Sequence, residues 1–483
     1  MSRRRLAPGP LPVRLSLAAA TLALAGCATL DDAPGGRRAE SPVAQAVARQ
    51  TGLPADALRL SRDEADLDAV RREVDTLLRE PLAADAALRI ALINHRGLQA
   101  RLADLGVAQA DWLAAGRLPN PRLSFGKFRR GDEREIERGL SFELGHWLML
   151  PWAREIEAGR LGAMQRGVTA EALALAAQVR KAWVQAVAAR QLEDAAFQLR
   201  ENAATGAELA DRLRAAGNWS RLQQAREQGY RAQAELQHAR ARQAAVAARE
   251  RLNRLLGLWG TQTAYTLPDR LPDLPATLPE RPDLERQALA QRFDVQAARL
   301  QLDATARSLG LTRVTGWVNG LELGVVRNTS NEAPPQTGVE LSVELPLFGG
   351  GQARTARAEA LYLRSLHQAA QVAVEARAEV READAAARSA WEIARHHAEV
   401  LVPLARQVSD ENLLRYNGMF IGTPELLADA RAQAAAVAAS IEAQRDAWLA
   451  QADLELALVG KPELMSAGGA AFGGAKDNAG AAH

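Results

Sequence analysis

Leu140-Ser141-Phe142-Glu143-Leu144 returns downstream as Leu341-Ser342-Val343-Glu344-Leu345. Each copy alternates apolar with polar residues, the period of a strand with one face of each kind. Working outward, Gly217 is matched by Gly418 at the same offset, and Arg101-Leu102 by Arg299-Leu300. Leu252-Asn253-Arg254-Leu255-Leu256-Gly257 is matched loosely by Leu454 to Gly460. Matches that keep their order at nearly constant spacing define an internal duplication. The chain divides into a first repeat over 81–257, a Pro-rich linker over 258–280 and a second repeat over 281–460.

Each repeat reads as a helix, two strands and two very long helices. In the first, a helix from about Leu82 to Gly116 is stopped by Leu118-Pro119-Asn120-Pro121. Leu123 and Phe125 then alternate with Ser124 and Gly126, Gly131-Asp132 makes a turn, and Leu140, Phe142 and Leu144 alternate with Ser141, Glu143 and Gly145. In the second, Leu321, Leu323 and Val325 alternate with Glu322 and Gly324, a loop is expected over Asn328 to Gln336, and Val339, Leu341, Val343 and Leu345 alternate with Glu340, Ser342 and Glu344. Long helices are expected from Ala153 to Ala216, Ser220 to Leu256, Gln352 to Tyr416 and Pro424 to Val459. A helix of about 60 residues reaches roughly 90 Å, which no compact domain needs. Such lengths belong to coiled coils and solenoids.

Composition agrees. Of 483 residues, 48% are hydrophobic but only 4% aromatic. Much of the apolar content is alanine, the best helix former and the smallest side chain, suited to closely packed helices. The 60 basic and 58 acidic residues leave a net charge of +2, which gives no reason to expect a nucleic-acid partner. Beyond the N-terminus no run of about 20 apolar residues predicts a membrane-spanning helix.

Arg3, Arg4 and Arg5 precede an apolar stretch from Leu15 to Ala25, the layout of a signal peptide over 1–26. Leu24-Ala25-Gly26-Cys27 resembles the bacterial lipobox, which implies cleavage before Cys27 and a covalent lipid on that residue. The other reading is an ordinary secretory signal with an incidental cysteine. Residue 28 is Ala, so the aspartate that retains such lipoproteins at the inner membrane is missing, and the outer membrane is favoured. Residues 27–80 read as a tether and leading helix, and 461–483 as a disordered Gly/Ala-rich tail.

Chemistry-bearing motifs are sparse. Cys27 is the only cysteine, so neither a disulfide framework nor a cysteine metal site can form within one chain. No histidine pair has HExxH spacing, and His396-His397 point about 100° apart on a helix. The bland reading, surface histidines, is preferred to a metal contact. Gly349-Gly350-Gly351 follows a strand but lacks the lysine of a phosphate loop. We expect no enzyme activity, no cofactor and no resident metal.

Four amphipathic strands cannot close a barrel alone. Two chains give eight strands with a filled interior, and three give twelve with room for a lumen. The apolar faces would then meet lipid, while Glu143, Glu322 and Glu344 would line water. A half-buried soluble sheet has the same alternation. Trp147 and Trp152 fit an interfacial aromatic belt or packing at a sheet–helix junction.

Several stretches resemble the TolC-like outer-membrane efflux proteins, in particular their lipoprotein branch. Leu118-Pro119-Asn120-Pro121-Arg122-Leu123-Ser124-Phe125-Gly126 resembles the opening of that family's first strand, and Leu345-Pro346-Leu347-Phe348-Gly349-Gly350-Gly351-Gln352-Ala353-Arg354 its strand-to-helix turn. Arg281-Pro282-Asp283-Leu284 resembles the start of its second repeat. The resemblance implies a mixed α+β, mostly α, TolC-like fold. Long antiparallel helices would form a periplasmic α-barrel, and four strands per chain would contribute to a trimeric 12-stranded transmembrane β-barrel. It also implies a homotrimer in outer-membrane lipid, with a periplasmic adaptor and an inner-membrane pump as partners. Arg212, Leu213, Gly217 and Ser220 resemble the first adaptor-docking tip, and Arg415, Tyr416, Gly418 and Thr423 the second. Asp410 and Glu411 are candidates for narrowing the tunnel entrance, unless they are simply solvated. The competing function is a structural lipoprotein that spaces the outer membrane from another layer. A periplasmic metal-binding protein is a third possibility.

Overall fold

The computed structural model describes residues 41–315, 320–344 and 351–462. The expected signal peptide, Cys27 with its lipid, residues 345–350 of the second strand-to-helix turn and the tail from 463 onward lie outside the described residues.

Two leading helices, α1 (Ser41–Thr51) and α2 (Glu64–Leu77), come first. Then follow α3 (Ala84–Asn94), α4 (Arg96–Ala115), β1 (Arg122–Arg130), β2 (Glu133–Glu143), α5 (Leu144–Ala215) and α6 (Arg221–Leu256). After the linker come α7 (Leu284–Gln291), α8 (Phe293–Thr315), β3 (Leu321–Ser330), β4 (Gln336–Val343), α9 (Gln352–His396), α10 (Val402–Asn417) and α11 (Thr423–Val459).

The helix expected from Leu82 to Gly116 is two helices. His95 is extended and caps α4, its Nδ1 accepting the Leu98 N–H at 3.2 Å. Arg292, also extended, makes a similar break between α7 and α8. Its guanidinium is 1% exposed and pairs with Asp294 at 2.7 Å and Glu379 at 2.8 Å. That ties the break to α9.

At 72 residues, α5 is roughly 108 Å long. It starts at Leu144, well before the expected Ala153, so Leu144 and Gly145 belong to the helix rather than to the strand. The chain passes from strand to helix without a loop, and the helix absorbs Pro151 as a local loss of one N–H. The run expected from Gln352 to Tyr416 is interrupted by one π turn over His397–Leu401. Pro403, just inside α10, lacks an N–H and would press its ring on the Glu399 carbonyl. A widened turn relieves both problems. The loop expected from Asn328 contracts to 331–335, because β3 continues to Ser330.

Large apolar side chains concentrate at mid-height. The stretch of α5 from Val168 to Ala188 packs on α3, α4, the end of α6 and the linker residues Leu258, Tyr265, Leu267 and Leu271. The linker is strapped down: Trp391 Nε1 donates to the Pro275 carbonyl at 2.9 Å, and Trp448 Nε1 to that of Pro272 at 3.0 Å. Further along α5 the buried positions are small, among them Ala196, Ala203, Ala207 and Ala210. There the helices approach closely with little hydrophobic burial. No helix among the described residues is long and apolar enough to cross a membrane.

Candidate channel wall and docking tips

The strands form one antiparallel sheet in the order β1-β2-β3-β4, with β1 and β4 as open edges. Directly paired residues share a face. One face carries the apolar rows Leu321/Val343, Phe142/Leu323/Leu341 and Leu123/Leu140/Val325/Val339. Among the described residues these rows are largely uncovered: Leu123 is 78% exposed and Val339 74%. At the helix junction Trp147 and Trp152 are exposed too, and Trp147 meets the Phe142 ring edge-on at 6.5 Å.

The opposite face is mostly polar, with Phe128 and Val326 as its large apolar residues. Ser124, Gly139, Val326 and Gly338 share a row, as do Arg122, Ser141, Gly324 and Glu340. At Gly139 the small residue has a steric cause, since a Cβ there would crowd the Ser124 hydroxyl, whereas Gly338 has open space around it. Glu143 and Glu322 face each other directly across β2 and β3. Like charges so placed repel, and Arg122 offsets this by donating Nη1 to Glu322 at 2.9 Å. Glu344 lies one residue past the end of β4, in phase with this face. The same face collects Glu340, already in the polar set of its strand's alternation, and Glu133, Glu135 and Glu137, which the sequence reading missed. The signal was there in Glu133-Arg134-Glu135-Ile136-Glu137-Arg138, a strict period of two.

The first helical tip is a glycine C-cap. Gly217 has φ +77, its N–H reaches the Arg214 carbonyl at 2.9 Å, and that of Asn218 reaches Leu213 at 2.9 Å. Ser220 opens α6 with a capping box shared with Gln223. Arg212 and Arg214 occupy the last turn of α5, where cations suit the helix dipole. Across the hairpin, Asp211 accepts from Gln224 at 2.8 Å and Gln228 at 3.0 Å, which holds its carboxyl below the usual carboxylate range.

The second tip departs from expectation. Gly418 has φ −81, and the left-handed residue is Met419 at φ +63. The Met419 N–H bonds to the Tyr416 carbonyl and that of Phe420 to Arg415, both at 2.9 Å. So Met419, not Gly418, stands where Gly217 stands in the first tip. Gly418 is small for another reason: a Cβ there would meet the Phe420 ring at 2.8 Å. Met419 and Phe420 are 93% and 83% exposed. Thr423 is the first residue of α11.

Asp410 and Glu411 lie exposed on α10, where Asp410 approaches Arg406 at 3.9 Å. The next residue, Asn412, donates to Asp429 on α11. A stronger tie near the tips lay outside the sequence reading. Glu227 on α6, 5% exposed, pairs with Arg431 on α11, whose guanidinium also lies 3.7 Å from the Tyr230 ring centroid. It joins the two helical hairpins through partners so far apart in sequence that no local pattern marks them.

His396 is exposed and His397 half-buried, and no group of three or more His, Cys, Asp or Glu among the described residues is placed to hold a metal ion.

A mostly helical chain whose duplicated hairpins bring four strands into one open-edged sheet has the fold of the TolC-like outer-membrane channels. The outer-membrane channel OprN superimposes with a TM-score of 0.66 at 20% identity, over 85% of this chain and 95% of OprN. CusC, whose structures describe folding and transmembrane channel formation, gives a TM-score of 0.64 at 18% identity, over 79% of this chain and 92% of CusC. In sequence, the chain is 28% identical to the cobalt-zinc-cadmium resistance protein CzcC of Cupriavidus metallidurans over 283 residues. That match spans 56% of this chain and 65% of CzcC, just under two thirds of the relative's length. No family model matches the chain.

Proposed function

We propose that the chain is one third of a passive exit duct in the outer membrane. The observation that carries this is the sheet. It has an uncovered apolar face, an acidic and glycine-rich opposite face, and two unpaired edges. Lipid satisfies the first and water the second. Only more strands satisfy the edges, because backbone groups inside a bilayer need partners. Three copies of the four-stranded sheet close a twelve-stranded barrel with a lumen. The long helices continue it into the periplasm, and the lipid expected on Cys27 adds an anchor. A spacing lipoprotein has no use for such a sheet.

On this reading, the tips at Arg212, Leu213, Gly217 and Ser220 and at Arg415, Tyr416, Gly418 and Thr423 receive a periplasmic adaptor. The exposed Met419 and Phe420 support this, since a bare apolar patch calls for a partner. An inner-membrane pump supplies the energy, and the duct catalyses nothing. Asp410 and Glu411 narrow the entrance, and Glu143, Glu322 and Glu344 line the barrel. Acidic rings favour cations. Together with the name of CzcC, this supports divalent metal ions as cargo.

The test is oligomeric. Cysteine pairs are scanned along the free edges of β1 and β4 in the full-length protein. Disulfide-linked, heat-modifiable trimers are expected at one register. A monomer that cross-links at no register supports the spacing lipoprotein instead. At the tips, Gly217→Asp or Gly418→Asp should abolish export while leaving trimer abundance normal, and full export by either variant overturns the docking assignment.

A further inference from the structure

The apolar face of the sheet changes character toward its turns. Beyond the row Leu123/Leu140/Val325/Val339 comes Phe125/Arg138/Arg327/Thr337, then Lys127/Ile136/Thr329, then Arg129/Arg134. Every charge on this face is positive. The strand glutamates Glu133, Glu135, Glu137, Glu143, Glu322 and Glu340 all fall on the other face by the same register.

The arrangement is costly as it stands. Arg138 lies directly opposite Arg327, and Arg129 directly opposite Arg134. Like charges so paired destabilise a sheet. Among the described residues, none of Lys127, Arg129, Arg134, Arg138 and Arg327 has a carboxylate partner. Arg129 donates Nε to the Gly131 carbonyl at 3.0 Å. The β4 strand that a neighbouring copy would set beside β1 offers this face Thr337, Val339, Leu341 and Val343 and no acid, the nearest acids being Asp132 and Glu332 in the turns. The strands themselves supply no compensating anion on this face, which leaves it open to one from outside the protein.

Its source follows from position. Arg327 is two residues beyond Val325, one step of roughly 7 Å along the strand and just past the apolar rows. The turns at 131–132 and 331–335 are the end of the sheet remote from the helices. If the helices are periplasmic, the basic rows sit at the headgroup level of the outer leaflet. Acyl chains against the apolar rows and phosphates against the arginines then belong to the same molecule. Arginine suits this, because its planar fork matches phosphate oxygens bidentately.

We propose that this basic band is a docking surface for the phosphate groups of the outer-leaflet glycolipid, lipopolysaccharide. The proposal rests on the membrane-duct reading. The band orients the barrel in the bilayer and relieves the arginine–arginine repulsion.

The test uses the full-length trimer in mild detergent, with retention of added lipopolysaccharide read by native mass spectrometry. Arg138→Gln with Arg327→Gln should lower retention at least about tenfold, the loss expected for two charge-assisted contacts. The control pair Glu135→Gln with Glu137→Gln, on the opposite face, should retain the lipid. Wild type should retain dephosphorylated glycolipid as poorly as the arginine variant retains the intact one, and this arm stands even if that variant does not assemble. Equal retention by the arginine variant, or of the dephosphorylated lipid by wild type, overturns the proposal. So does displacement of the lipid by millimolar inorganic phosphate, which would reassign the site to a soluble anion. Conductance of the wild type, measured in parallel, reports separately on the duct reading.

Discussion

Met419 holds a backbone conformation that glycine adopts freely and other residues adopt at a cost of about 1–2 kcal/mol. Gly217→Ala should therefore destabilise the first tip by about that much, read as faster amide exchange at Asn218. Met419→Gly should slow exchange at Phe420, and an acceleration there would contradict the strain. The repeat pattern aligns Gly217 with Gly418, so the true equivalence was hidden: dihedral angles shifted by one residue while the glycine stayed to make room for Phe420. His95 was equally illegible as a cap. Its burial lowers the imidazole pKa from the usual value, which keeps Nδ1 free to accept from Leu98. The unfolded chain binds that proton more readily, so the stability is fully present above about pH 6.5 and is lost as pH falls through the lower folded value. Melting of the wild type at about pH 7.5 and about pH 5.5 should differ, and His95→Asn, which still caps, should narrow the difference. An unchanged difference assigns the pH response to other groups.

The strands were legible as elements because period two survives in a short stretch, and their faces followed from it. Long helices were legible from alanine content and from glycine stops. What escaped were the joints, where a single side chain decides. Pro151 reads as a helix breaker, yet it sits inside α5; Pro403 falls inside the run expected as one helix from Gln352 to Tyr416, and a π turn forms beside it. Arg292 is such a joint. Arg292→Met leaves Asp294 and Glu379 without their buried partner and should cost about 3 kcal/mol, seen as a lower urea midpoint with an unchanged slope. A variant as stable as wild type would mean that Lys461, 3.9 Å from Glu379, takes over the pair. The tie of Glu227 to Arg431 and Tyr230 joins one hairpin to the other, and contacts of that sequence separation leave no periodicity to read.

At the scale of the whole molecule, the duct reading predicts that this tie and the acidic sheet face make separable contributions to transport. Arg431→Ala releases the two hairpins from each other near the tips and should enlarge conductance without altering selectivity. Glu143→Gln with Glu322→Gln should reduce cation preference and leave the open size nearly unchanged, because the substitutions remove charge but little volume. The central claim is that three sheets close around one conducting lumen. Its most direct test is single-channel conductance of the full-length protein in a planar bilayer, with oligomeric mass taken from the same preparation. A trimer with a small, cation-leaning conductance, enlarged by Asp410→Asn with Glu411→Gln, is the expected result. A monomer or dimer that never conducts would contradict it and return the sheet to a soluble role.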